Sequence, residues 1–208
     1  MISTKILSLV TFIYFAAFVF YLFRMTLDRD FWGRLATYTA FTGLIAQTIA
    51  LIWRWKASYD LGIGHAPMSN FYESLVFFAW TIVLLYLVME LRLKNRSPGV
   101  FVLPVIFLLM AFASLSPDIS SHIEPLIPAL QSNWLISHVL TCFMGYAAFT
   151  VAFGLGVMYF LKKATAGKKG EMISGFFHLL PDDGVIDELI YQSTALGFVF
   201  LTLGIMTG

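Results

Sequence analysis

Of the acidic, basic and histidine side chains, three fall inside the apolar stretches of this 208-residue chain: Glu73, Glu90 and His138. A charge held in hydrocarbon is costly, so each marks a place to look for function. Asn70 and Glu73 have the Asn-x-x-Glu spacing of a capping box at a helix start, which gives Glu73 a structural role. Glu90 stands beside Arg92 and Lys94 and reads as an interfacial residue at headgroup level. His138 lies about one turn after Trp134, roughly 6 Å into its helix. Its imidazole suits two roles: axial ligand of haem iron at an outward-facing cleft, or hydrogen bond to a neighbouring helix. Cys142 shares the helix face of His138 and reads as a small packing residue. As the single cysteine it excludes an internal disulfide and any cysteine-only zinc or iron–sulfur site. His65, His122 and His178 fall in connections and read as solvated loop residues.

The elements that position these residues follow from composition. Hydrophobic residues make up 59% of the chain and charged ones 12%, with a mean hydropathy of +0.82. Ordinary soluble domains carry about 25% charged residues, so a water-soluble monomer is excluded, and so is disorder. The 13 basic residues are scattered between apolar blocks and offer no cationic face to nucleic acid. Six stretches approach the length of about 20 apolar residues that a spanning helix needs. They cover residues 6–23, 35–53, 71–91, 100–115, 134–161 and 189–206. The fourth is the shortest and carries Pro104. The second closes on Trp53-Arg54-Trp55-Lys56, which has the composition of an interfacial anchor. The first is too long for a signal peptide and has Phe18, Phe20, Tyr21 and Phe23 where cleavage needs small residues.

Orientation follows from the connections. One set holds Arg24, Arg29, Arg34, Arg92, Lys94, Arg96, Lys162, Lys163, Lys168 and Lys169; the other holds only Lys5, Arg54 and Lys56. The positive-inside rule puts the richer set in the cytoplasm, both termini outside, and residues 116–133 outside. In that outer loop Ile123, Leu126, Ile127 and Leu130 recur at helical spacing after Pro125, the pattern of a short surface helix. Ala148, Ala152 and Gly156 form a small-residue stripe for close helix packing. Gly167-Lys168-Lys169-Gly170 reads as a flexible turn. The expected fold is therefore an all-α, polytopic bundle forming a single integral membrane domain over residues 1–208.

Three stretches together resemble one family. His65-Ala-Pro-Met-Ser-Asn-Phe-Tyr-Glu-Ser-Leu75 is similar to the motif opening an early span in the CcsA/ResC proteins of system II cytochrome c biogenesis. Leu130-Gln-Ser-Asn-Trp-Leu-Ile-Ser-His-Val139, with Gly145-Tyr-Ala-Ala-Phe149, resembles the helix carrying that family's first external histidine. Asp187-Glu-Leu-Ile-Tyr191 with Gly197-Phe-Val-Phe-Leu-Thr-Leu-Gly-Ile205 looks like the span before its Trp-rich external domain. The resemblance implies that the chain binds haem in transit and presents it at the outer membrane face for covalent attachment to apocytochrome c. His138 then matches an iron ligand, and Trp134 packs near the porphyrin edge or anchors the helix at the interface. It further implies a CcsB/ResB-type partner subunit and a place in a holocytochrome c synthetase. The host membrane would be the bacterial cytoplasmic membrane or, alternatively, the thylakoid. The family's Trp-rich segment and further histidines have no counterpart in residues 1–208, so the chain is expected to be incomplete relative to the family and inactive alone. A helical transporter or permease component without haem is the competing expectation; it calls for broken helices and matching halves, and Pro104 is the one break the spans offer.

Overall fold

The computed structural model describes residues 2–126, 134–165 and 178–208. Among them it is all-helical: α1 (Ile2–Leu27), α2 (Asp30–Asp60), α3 (Phe71–Leu93), α4 (Gly99–Leu115), α5 (Trp134–Thr165) and α6 (Asp183–Thr207). Five of these are long and apolar enough to cross a membrane, and α4 is a shorter apolar helix. Its 17 residues reach about 25 Å, a little under the roughly 30 Å of a hydrocarbon core. Pro104 lies within α4 without ending it. All six predicted spans are thus helices, and most run past the apolar stretch that announced them. α2 shows why. It continues beyond Trp53 to Asp60 because Arg54 and Ser58 extend its buried face.

The inner faces are stripes at alternating three- and four-residue spacing, the pattern that keeps one helix face on its neighbours. In α1 the stripe is Ser3, Leu7, Val10, Tyr14, Ala17, Tyr21 and Met25. In α2 it is Gly33, Ala36, Ala40, Gly43, Gln47, Ala50, Arg54 and Ser58. Large residues of α1 thus meet small residues of α2. Gly43 shows how closely: a Cβ there would fall 2.5 Å from the Tyr14 ring. Helices α1–α4 form one packed body, and α5 joins it through α3 and α4. α6 makes its extensive contacts with α5.

Cross-links between connections define the two ends. At one end His178 meets Asp28 at 3.1 Å, while Asn95 and Ser97 donate to the Leu179 carbonyl. That end gathers the basic connections. At the other, Arg54 donates to the carbonyls of Ser121 and His122. Residues 121–126 are not helical; the rest of the surface helix expected there, with Ile127 and Leu130, lies outside the described residues, as does Gly167–Gly170. The small-residue stripe also needs correction. Ala148 and Ala152 are buried, but Gly156 faces open space, and α5 instead meets α6 through Cys142, Gly145 and Phe149.

Candidate functional site

His138 sits on the second turn of α5, half-buried against α6. Its Nδ1 lies 2.7 Å from the Gly204 carbonyl oxygen. A carbonyl only accepts, so Nδ1 carries the proton and the lone pair belongs to Nε2. Nε2 has one neighbour within hydrogen-bond reach among the described residues, Cys142 Sγ at 3.9 Å, a weak partner at best. One nitrogen is anchored on a backbone oxygen and the other keeps its lone pair, the tautomer that a metal-ligating imidazole needs.

The local sequence makes this geometry possible. A Cβ on Gly204 would fall 2.5 Å from Cys142 Sγ, and one on Gly145 would fall 2.9 Å from the Leu201 backbone nitrogen. Glycine at both places lets α6 approach until its carbonyl reaches the imidazole. Gly208 lies against the same ring, where a Cβ would come within 2.2 Å of Cε1. Cys142 therefore packs, as its sequence context indicated. Trp134 opens α5 one turn earlier on the same helix face and is 66% exposed.

The other histidines differ. His65, expected in solvent, is buried. Gly62 and Gly64 both adopt positive φ (74° and 73°), folding the connection back so that the His65 N–H donates to Ser58 Oγ. Both ring nitrogens of His65 face carbonyls, Nδ1 at 2.9 Å from Ala66 and Nε2 at 2.8 Å from Glu124. It presents no lone pair to a ligand. His122 and His178 are exposed, as expected.

Both intramembrane carboxylates have partners that the sequence did not announce. Asn70 Oδ1 does accept from the Glu73 N–H at 2.8 Å, so the helix cap is present. The Glu73 carboxylate, however, takes the Ser69 N–H and hydroxyl with one oxygen and Arg54 Nε, at 2.6 Å, with the other. Arg54 is 1% exposed; it is not an interfacial anchor. Glu90, in the last turn of α3, also turns inward, being 3% exposed. Tyr21 and Tyr86 donate to one of its oxygens and Thr37 to the other. Burial is tolerable because hydroxyl donors replace the lost water.

Near His65 a cleft of about 460 Å³ opens between α2, the α2–α3 connection, residues 125–126 and the start of α5. Trp55, Tyr59 and Met68 line it, and so do Leu135 and Ile136, but His138 does not. No three His, Cys, Asp or Glu side chains gather into a metal centre among the described residues.

These features define a class first: a helical membrane protein that anchors a histidine, His138, by its Nδ1 near the start of a long apolar helix. The profile of the family described as "Cytochrome C assembly protein" matches residues 68–208, and the chain belongs to that family. It is 34% identical over 203 residues to the cytochrome c biogenesis protein CcsA of Chlorella vulgaris, covering 83% of this chain and 63% of that protein. It is 36% identical over 168 residues to CcsA of Chlamydomonas reinhardtii, covering 77% of this chain and 43% of that one. The figure for CcsA of Synechococcus sp. (strain RCC307) is 33% over 181 residues, covering 77% and 57%. The chain thus spans less than two thirds of the length of these relatives. No solved structure matches it.

Proposed function

We propose that this chain serves cytochrome c assembly by holding haem through His138 Nε2 at the outer membrane face, for covalent attachment to apocytochrome c. The observation that carries it is the 2.7 Å contact between His138 Nδ1 and the Gly204 carbonyl, which leaves Nε2 as the ligating nitrogen. Haem is cargo here. One imidazole cannot retain a bare ion, but haem iron already has four porphyrin nitrogens and needs only axial donors. The thioether bonds form on the porphyrin's own vinyl groups; the protein's part is to fix iron and orient the ring. We assign no catalytic side chain. The second axial donor comes from outside the described residues, with a CcsB/ResB-type subunit as the proposed partner. The basic end of the bundle is assigned to the cytoplasm by the positive-inside rule, which puts both termini and His138 outside. The names and sources of the relatives, algal and cyanobacterial, support a cytochrome c biogenesis role in a bacterial cytoplasmic or thylakoid membrane.

The test is spectroscopic. Full assembly purified with His138→Ala is expected to lose most of its Soret absorbance and to regain it on adding imidazole, which enters the vacated space. Unchanged absorbance in the variant overturns the ligand assignment. Solute transport by haem-free vesicles would favour the carrier alternative.

A further inference from the structure

The basic end of the bundle carries a second site. α3 ends at Lys94 in the left-handed region, φ 55° and ψ 21°, with its N–H on the Glu90 carbonyl at 2.9 Å. Glycine or asparagine is the usual occupant of that cap, because a side chain there is strained. An outlier of this kind invites a functional reading. Lys94 is exposed, and its ammonium has no partner among the described residues. Two residues on, Arg96 gives Nε to Thr37 Oγ1 at 3.2 Å and lies 3.8 Å from Glu90 Oε1. Its terminal nitrogens are unused among the described residues.

Lys94 and Arg96 together line a cleft of about 300 Å³ whose other walls are Thr37, Glu90 and Leu91. Three hydroxyls already occupy the Glu90 carboxylate. Two cations against one screened carboxylate leave the cleft net positive. Below the cations the helix surface is apolar and exposed at Leu91, which lines this cleft, and at Val88, which lines the neighbouring cleft of Arg92. A cation pair above an exposed apolar strip matches a phosphate joined to acyl chains and is a poor match for a water-soluble anion. Basic pockets between spanning helices at this level bind lipid headgroups in this way.

We propose that Lys94 and Arg96 hold the phosphate of an anionic phospholipid from the leaflet meeting this end of the bundle. Gly33 keeps the space open, since a Cβ there would fall 2.9 Å from Arg96 Cδ.

The experiment titrates short-chain phosphatidylglycerol into the purified full chain in neutral detergent and reads bound lipid by native mass spectrometry. Lys94→Gly removes the charge and relaxes the backbone, so it folds at least as well as the parent. With Arg96→Gln added, affinity is expected to fall about 25-fold, at roughly fivefold per cation. Arg92→Gln, which removes a cation lining a different cleft, should stay within about twofold. Short-chain phosphatidylcholine and inorganic phosphate should bind far more weakly. Equal losses in K94G and R92Q, no loss in K94G, or competition by inorganic phosphate at matched concentration would each overturn the proposal.

Discussion

Helices α1–α4 and the α5–α6 pair solve the same problem with different emphasis: Gly43 and Gly99 pack closely in the first body too, but buried polar pairs are added to them. The first body is held from within by polar side chains. Arg54 and Glu73 pair near one end, Tyr21, Tyr86 and Thr37 surround Glu90 near the other, and Tyr14 donates to Gln47 between them at 2.6 Å. α5 and α6 instead meet through glycines, with Gly145, Gly197 and Gly204 each too close to a neighbour to accept a Cβ. Lipid is as apolar as leucine, so hydrophobicity alone cannot hold helices together in a bilayer; polar links and close packing do. Polar links fix one arrangement. Close packing leaves α6 largely uncovered, with Tyr191, Phe198, Ile205 and Met206 exposed. The candidate ligand lies on the second kind of contact, braced by the first.

The contrast breaks most sharply at Arg54. Changing Arg54 to Ala leaves Glu73 charged and buried, which costs about 3–5 kcal/mol. Loss of folded protein in detergent extracts is the expected result, measured by thermal unfolding. Replacing both partners with Arg54→Met and Glu73→Leu should recover much of the stability, because no unpaired charge remains. A single variant as stable as the parent would show that the pair is not what braces this end.

Sequence made the helices legible and the braces not. Apolar run length found all six helices, five of them long enough to cross a membrane, and His138 stood out as the histidine within one. Arg54 was hidden because two tryptophans and a lysine beside it resemble an interfacial girdle. Its partner lies 19 residues away on another helix. A signal was present, however: Arg54 continues the stripe Ala36, Ala40, Gly43, Gln47, Ala50, while Trp53, Trp55 and Lys56 fall off it. Glu90 likewise continues Val76, Ala79, Val83 and Tyr86. Periodicity placed both inside; residue type alone placed them outside. The carbonyl that orients His138 had no signal, since any residue could supply it and only the Gly204 approach selects it.

A smaller effect should separate the two regions at Gly145. Gly145→Val pushes its Cβ against the Leu201 backbone, which cannot rotate away, and overpacking of this kind costs about 1–3 kcal/mol. α6 must retreat, taking the Gly204 carbonyl off His138. Haem absorbance should fall while the thermal midpoint of the α1–α4 body holds. Gly156→Ala is the matched control. Nothing lies within 4 Å of its Cβ, so the change should be neutral or slightly stabilising. Equal absorbance in the two variants would detach the imidazole from the helix approach.

The weakest link joins the regions at the basic end, where Asp28 takes Arg24 Nη1 at 2.7 Å and meets His178 Nε2 at 3.1 Å. The Arg24 hydrogen bond chiefly, with His178 adding to it, holds the Asp28 carboxyl below its ordinary value. A depressed carboxyl stabilises the fold above its unfolded value of about 4 and gives that up as pH falls through the lower folded value. Asp28 is exposed, so screening keeps the effect small. Asp28→Asn keeps a side chain that tolerates the φ of 49° while removing the charge. Its thermal midpoint should fall by about a degree at neutral pH and converge on the parent's below about pH 4. A constant offset at every pH would assign the loss to the turn and not to the charge. A shift as large as that of Gly145→Val would mean that this contact, and not the glycine seam, ties the hairpin to the body.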